Sequence, residues 1–477
     1  MDVHRKVGIH YVFFTHYALR LIILSMLNQI PRPVRIVLVI IGLLIVAGIV
    51  YNIPFVNDKL AWRVDEFRGQ IAGIIHPPEE AIFVPGGQPP PVAAIRSGTL
   101  PAPEVLVTVH PSVTATESGP IQTATISPTP LPVSASVPGV KYVDQNNRWN
   151  YCGPANLTMA LNFWGWKGDR DDVAMAIKPG ENNPKKDFIQ KGLTDKNVMP
   201  YEMVDFVNDK TEFHALSRYG GNIELLKTFL AAGYPVLTEK GYYEKDANGK
   251  VSWMGHYQFI TAYDNAANVF TVQDTYIDGP NFKVDYSKFE DGWRDFNYIF
   301  IIVYPSDRES AVHNILGNWA DNKWANQHAL EIANAEIKTQ TGINAFFAWF
   351  NKGTSHVQLQ EYFDAAAAYD QAFTIYATLG KDDTKRPYRM MWYQTGPYWA
   401  YYYAGRYQDV INLADTTLST VLSGPTLEES LYWRALAELV TGQSTSAVKD
   451  LQDAVYYNKN FTAAINQLKQ LGAPLKP

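Results

Sequence analysis

The chain's single cysteine, Cys152, stands in Tyr151-Cys152-Gly153-Pro154-Ala155-Asn156, at the start of a helical pattern. A lone cysteine has no partner for an internal disulfide, so its setting decides its chemistry. Leu157, Ala160, Leu161 and Trp164 recur on one face of the predicted helix. Pro154 fits the first turn, where a missing N–H costs nothing. The thiol then lies beside unpaired N–H groups and the positive end of the helix dipole. That setting favours a thiolate and makes a nucleophile. The bland alternative, a small buried apolar side chain, is less favoured by the helix start and the flanking Gly-Pro.

Such a nucleophile needs an imidazole to take its proton and an anion to orient the imidazole. Gly255 to Tyr263 reads as a strand opened by His256, Asp264 to Asn268 as a turn, and Val269 to Asp274 as the returning strand. A five-residue loop pairs Tyr263 with Val269 and sets Gln258 opposite Asp274. His256 is then diagonal to Asp274 on the same face, about 7–8 Å away at Cα. A four-residue loop would place the two on opposite faces, so the pair depends on the register. An amide side chain just upstream of the cysteine can join its backbone N–H in holding an oxyanion. Gln145 is the candidate, with Asn146 as the substitute. Asp169, Asp171 and Asp172 read as a solvated loop without a role.

Cysteine on a helix, histidine on a strand and aspartate at the end of the next strand is the chain order of papain-like sites. Gln145, Tyr151-Cys152-Gly153-Pro154-Ala155, Gly255-His256 and Asp274 together resemble the double-glycine leader peptidases. These are the bacteriocin-processing cysteine peptidases numbered thirty-nine among cysteine peptidase families, with their stand-alone relatives. The resemblance covers roughly residues 140–305. It implies Cys152 as nucleophile, His256 as base, Asp274 as orienting acid and Gln145 as oxyanion donor. Gln145 lies seven positions before Cys152, one more than the usual spacing, which keeps Asn146 open. No ATP-binding motif is present, which argues against a bacteriocin exporter.

The elements that must hold these residues in place sit in a chain of 477 residues, long enough for two or three domains. The net charge of −6 is mild and gives no reason to expect nucleic acid. With one cysteine, scattered histidines and no His-Glu-x-x-His pattern, no metal or other cofactor is expected. The 29 tyrosines and 12 tryptophans suit carbohydrate or peptide grooves, though packing between helices is their commoner use.

Ile36 to Val50 is apolar and uncharged, and with its extension to Val56 it reaches the about 20 residues that span a bilayer. Arg32 and Arg35 precede it, which predicts a cytoplasmic N-terminus and an exported remainder. The second apolar stretch, Val12 to Ile30, carries Arg20 and reads as interfacial. Pro77 to Pro138 is rich in Pro, Thr, Ser and Val and reads as an extended stalk. From about Ile315 the pattern is helical. Tyr362, Ala365, Tyr369 and Ala372 step by three, four and three, as do Tyr407, Val410, Ala414 and Thr417, then Ser444, Ala447, Leu451 and Ala454. Gly405 and Gly442 each stand two residues before their set. This resembles degenerate tetratricopeptide repeats, with spacing longer than the standard of about 34 residues.

The expected organisation is 1–33 as a cytoplasmic or interfacial segment, 34–56 as a transmembrane helix and 57–138 as a stalk or linker. An α+β papain-like cysteine peptidase domain follows over 139–308, and an all-α tetratricopeptide-like repeat domain over 309–477. The expected function is a membrane-anchored cysteine peptidase acting on a protein or peptide outside the cytoplasm, with a protein partner on the helical repeats. The alternatives are an inactive peptidase-like binding or scaffold protein, and a papain-like cell-wall amidase or acyltransferase.

Overall fold

The structure is a computed structural model. It describes residues 31–53, 82–86, 130–179, 197–245, 251–380, 386–419 and 427–475, except 147 and 149, and scattered positions between 54 and 81. The stretch 12–30 and most of the expected stalk lie outside the described residues. The chain divides into two units, residues 1–64 and 65–477. In the first, α1 (Arg32–Tyr51) is long and apolar enough to cross a membrane, and none of its residues is buried. It has Pro33 in its first turn and no charge after Arg35.

In the second unit, residues 82–86 lie outside any helix or strand. They are followed by β1 (Ser134–Ser136), α2 (Cys152–Phe163), α3 (Arg170–Ile177), α4 (Pro200–Lys210), β2 (Phe213–Arg218) and α5 (Ile223–Ala231). Then come β3 (Val236–Lys245), β4 (Val251–Asp264), β5 (Val269–Asp274), β6 (Phe282–Asp285), α6 (Tyr286–Arg294), β7 (Phe300–Pro305) and α7 (Glu309–Leu316). The strands form one antiparallel sheet in the order β2-β7-β3-β4-β5-β6, with β1 added to β4. Strand alternation builds two cores. In β7, Phe300, Ile302 and Tyr304 pack with Leu226, Phe229 and Trp293 on one face. Ile301 and Val303 pack with Leu157, Leu161 and Met203 on the other. Each such side chain, fully buried, contributes roughly 1.5–3 kcal/mol.

Three readings are corrected here. β4 begins at Val251, so His256 lies within the strand and does not open it. The hairpin loop has four residues, Asn265 to Asn268, because Asp264 pairs with Val269. A β-bulge at Thr261 then absorbs one residue, and Gln258 still faces Asp274. The Thr261 hydroxyl accepts from Gln273 Nε2 at 2.9 Å, which fixes the bulge. Finally, Asp169 is no idle loop residue. It caps α3 by accepting from the N–H groups of Asp171 and Asp172, and Asp172 accepts in turn from Asp169 N–H.

The remaining elements are helical: α8 (Asn322–Glu336), α9 (Gly342–Gln358), α10 (Tyr362–Thr378), α11 (Met390–Tyr393), α12 (Gly396–Tyr403), α13 (Tyr407–Ser419), α14 (Glu428–Val440), α15 (Ser444–Tyr457) and α16 (Thr462–Gln470). Ala365, Tyr369, Ala372, Val410, Ala414, Ala447, Leu451 and Ala454 are all buried in one core. Turns of three residues precede α10, α13 and α15. Each holds a left-handed residue two positions before the helix: Gln360 (φ 62°), Gly405 (φ 76°) and Gly442 (φ 83°).

The helical and sheet parts share this core. Trp253 of β4 stacks on Phe296 at 5.7 Å and meets Phe347 and Tyr393 of the helices. Lys178 is buried between the parts, with Nζ 2.6 Å from Glu428 and 3.2 Å from Glu202. Residues 82–86 also dock on the helices. Phe83 is buried edge-on against Phe373 at 5.0 Å, and Gly86 N–H donates to Asp409 at 2.9 Å.

Candidate active site

Cys152 occupies the first position of α2 and is half-buried. The helix starts there because Tyr151, almost fully buried, anchors the chain just before it. Pro154 sits in the first turn, where it displaces no hydrogen bond. Asn156, one turn on, is fully buried and donates twice from Nδ2: to Cys152 O at 2.8 Å and to Tyr257 O at 2.9 Å. One amide thus ties the start of α2 to the strand residue next to His256.

His256 and Asp274 are nearly fully buried, and His256 Nε2 lies 2.9 Å from Asp274 Oδ2. Gln258 Nε2 donates to the same oxygen at 2.9 Å. The N–H groups of Tyr276 and Ile277 donate to Oδ1 at 2.9 and 3.1 Å. Four donors therefore hold the carboxylate. The Tyr242 ring lies against the imidazole at 5.0 Å. Since Nε2 serves Asp274, the other ring nitrogen, Nδ1, is the one left to interact with Cys152.

Burial alone would push the His256 pKa down. The charge of Asp274, its hydrogen bond and the Cys152 sulfur outweigh that and raise it from 6.5 to about 10. Burial likewise works against ionised Asp274, but His256, Gln258 and the Tyr276 N–H hold its pKa well below the usual carboxylate range. At neutral pH the ring is therefore a cation.

The linkage has a definite sign. A folded pKa raised above 6.5 gives stability that is full below about pH 6.5 and lost as pH rises through about 10. Asp274's depressed pKa gives stability present above 3.8 and lost as pH falls. Unfolding temperatures measured from pH 7 to 11 are expected to fall more steeply for the wild type than for Asp274→Asn. Parallel curves would remove the ion pair from the account.

Gln145 is buried and belongs to the same cluster. Its N–H donates to Thr275 O at 2.8 Å, and its Oε1 accepts from Thr275 Oγ1 at 2.8 Å. Its carbonyl end is thereby occupied, leaving the NH2 end to donate. Asn146 is exposed, with its N–H on Asp144 and its C=O on Arg170. The structure thus brings Cys152, His256 and Asp274 together, ties Gln145 to Thr275 next to Asp274, and leaves Asn146 at the surface.

Three supporting roles escaped the sequence reading, those of Asn156, Gln258 and Glu239. Asn156 carried a signal, a polar residue in the middle of an apolar helix face. Glu239 faces Tyr257 across β3 and β4 and is buried. Burial first, and then the Cys152 charge, push its pKa well up. For metals, His356, Glu361 and Asp364 have ligand atoms within 4.8 Å of one another, but the two carboxylates are exposed and His356 Nδ1 already bonds Glu361 at 2.7 Å.

Residues 137–300 match the family described as Peptidase_C39 like family. Among solved structures, the chain is similar to a C39-like peptidase from Bacillus anthracis, with 19% identity and a TM-score of 0.29, over 36% of this chain and 96% of that one. No curated protein matches.

Proposed function

We propose, from the match of residues 137–300 to the Peptidase_C39 like family, that this chain is a papain-like cysteine peptidase in which Cys152, His256, Asp274 and Gln145 perform the reaction. The observation that carries this reading is the 2.9 Å contact from His256 Nε2 to Asp274. It leaves a protonated ring nitrogen beside a sulfur at a helix start.

The Cys152 sulfur attacks the carbonyl carbon of a peptide bond. The developing oxyanion is held by the N–H at the head of α2, which has no intrahelical acceptor, and by the Gln145 amide. His256 gives a proton to the leaving amine. It then takes one from the water that hydrolyses the thioester, and the free Cys152 sulfur is restored. Asp274 holds the ring's orientation and offsets its charge throughout.

The test uses the fact that the chain has one cysteine. A thiol-directed affinity probe at near-neutral pH is expected to label Cys152 once per molecule, and labelling is expected to be lost in His256→Ala. Equal labelling of both proteins would overturn the assignment. For Gln145→Ala the expected result is a loss of about 10²–10³ in kcat at nearly unchanged KM. Steady-state kinetics on a fluorogenic peptide checks it.

In the same reading α1 anchors the chain, with Arg32 and Arg35 on its cytoplasmic side and the peptidase outside. The helices after residue 309 act as tetratricopeptide-like units that recruit a protein. Support comes from the left-handed residue repeated before α10, α13 and α15.

A further inference from the structure

Where the sheet part meets the helices, the structure encloses a cavity of about 380 Å³. The sheet part supplies Tyr201, Tyr219 and Glu239 to its wall, and the helices supply Trp399, Tyr403 and Trp433. Its volume falls within the about 300–1,000 Å³ of small-ligand pockets.

Two features of the wall narrow the occupant. Rings crowd it: Trp399 and Trp433 are 4.8 Å apart at 56°, and Tyr362 stacks on Tyr403 at 4.5 Å. Among the described residues three carboxyl groups line it, Asp205, Glu239 and Glu429, and no lysine, arginine or histidine does. Aromatic faces and carboxylates both attract a cation, and an anion would find neither. Glu239 and Glu429 are both nearly fully buried. Burial raises the pKa of each.

Position decides what carries the cation. Glu239 lies within electrostatic reach of Cys152 and His256. Val198, next to the lining residue Met199, approaches Gly153 just after the nucleophile. Glu239 therefore belongs both to the cavity wall and to the electrostatic surroundings of the reacting centre.

We infer that this cavity is a specificity subsite that takes the basic side chain, lysine or arginine, of a peptide bound across Cys152. The inference deepens the peptidase reading and rests on it for the identity of the ligand as substrate.

Binding is measured on the full chain carrying Cys152→Ala, so that hydrolysis does not enter. The probes are two acetylated, amidated pentapeptides, Gly-Gly-Lys-Gly-Gly and its analogue with norleucine in place of lysine. Titration calorimetry is expected to show the lysine peptide binding about tenfold or more tighter. Adding Glu239→Gln, which copies the neutral acid and leaves the packing intact, is expected to remove most of that preference. Trp399→Leu is expected to weaken the lysine peptide selectively. Equal affinity for the two peptides, no binding of either, or a preference untouched by Glu239→Gln would each overturn the subsite. A lysine preference in a protein whose wild type cleaves nothing would uphold the cation site and count against the peptidase.

Discussion

Cys152→Ala is expected to abolish peptide hydrolysis, with kcat/KM falling on the order of 10⁴-fold or more, while the unfolding transition stays where it is. The size follows from the role. Without sulfur no thioester forms, and the oxyanion donors and His256 are left with only water to activate. The unchanged stability follows from the site. Cys152 is half-buried at a helix end, and the contacts that fix that end, Asn156 to Cys152 O and to Tyr257 O, run through the backbone. Cleavage of a peptide library, compared between the two proteins and read beside their melting curves, is the measurement. Equal cleavage would refute the enzyme reading. Loss of both folding and activity would show that the thiol is structural.

The second large effect concerns stability. Lys178 is the ammonium at the centre of a buried set that includes Glu202, Glu428 and Glu429. Burial, partly offset by Lys178, raises the Glu202 pKa to about 7. Lys178→Met leaves these carboxyls buried without their cation, at an expected cost of about 3–5 kcal/mol. The denaturation midpoint of residues 65–477 should drop accordingly. Adding Glu428→Gln should recover part of the loss, because that carboxyl then needs no counter-charge. If Lys178→Met unfolds at the wild-type midpoint, the cluster does not hold the two parts together.

The sequence made the site legible through residue type and chain order, and the hairpin shows how narrow that legibility was. A five-residue loop was inferred where the loop has four, and the bulge at Thr261 went unseen. Each slip moves the register by one residue, and they cancel, so His256 and Asp274 share a face as expected. Alternation of apolar residues cannot report a bulge whose cause is a hydrogen bond between Thr261 and Gln273, distant in sequence. Asn156 was visible as a polar residue out of pattern, but its acceptor on β4 was not. Among the helices, the small-residue spacing marked the buried faces correctly. Gln360 did not announce its left-handed backbone, since that conformation is read from glycine or asparagine. The cavity was beyond reach, because its rings come from segments as far apart in the chain as Tyr201 and Phe461.

The docking of Phe83 on the helices bears on how the protein carries a load. A pull on the chain from before Ile82 is met first by the Phe83 anchor against Phe373 and by the Gly86 to Asp409 hydrogen bond, which Arg406 braces. The helices therefore take the strain, and the sheet bearing Cys152 and His256 is shielded from tension until that latch gives way.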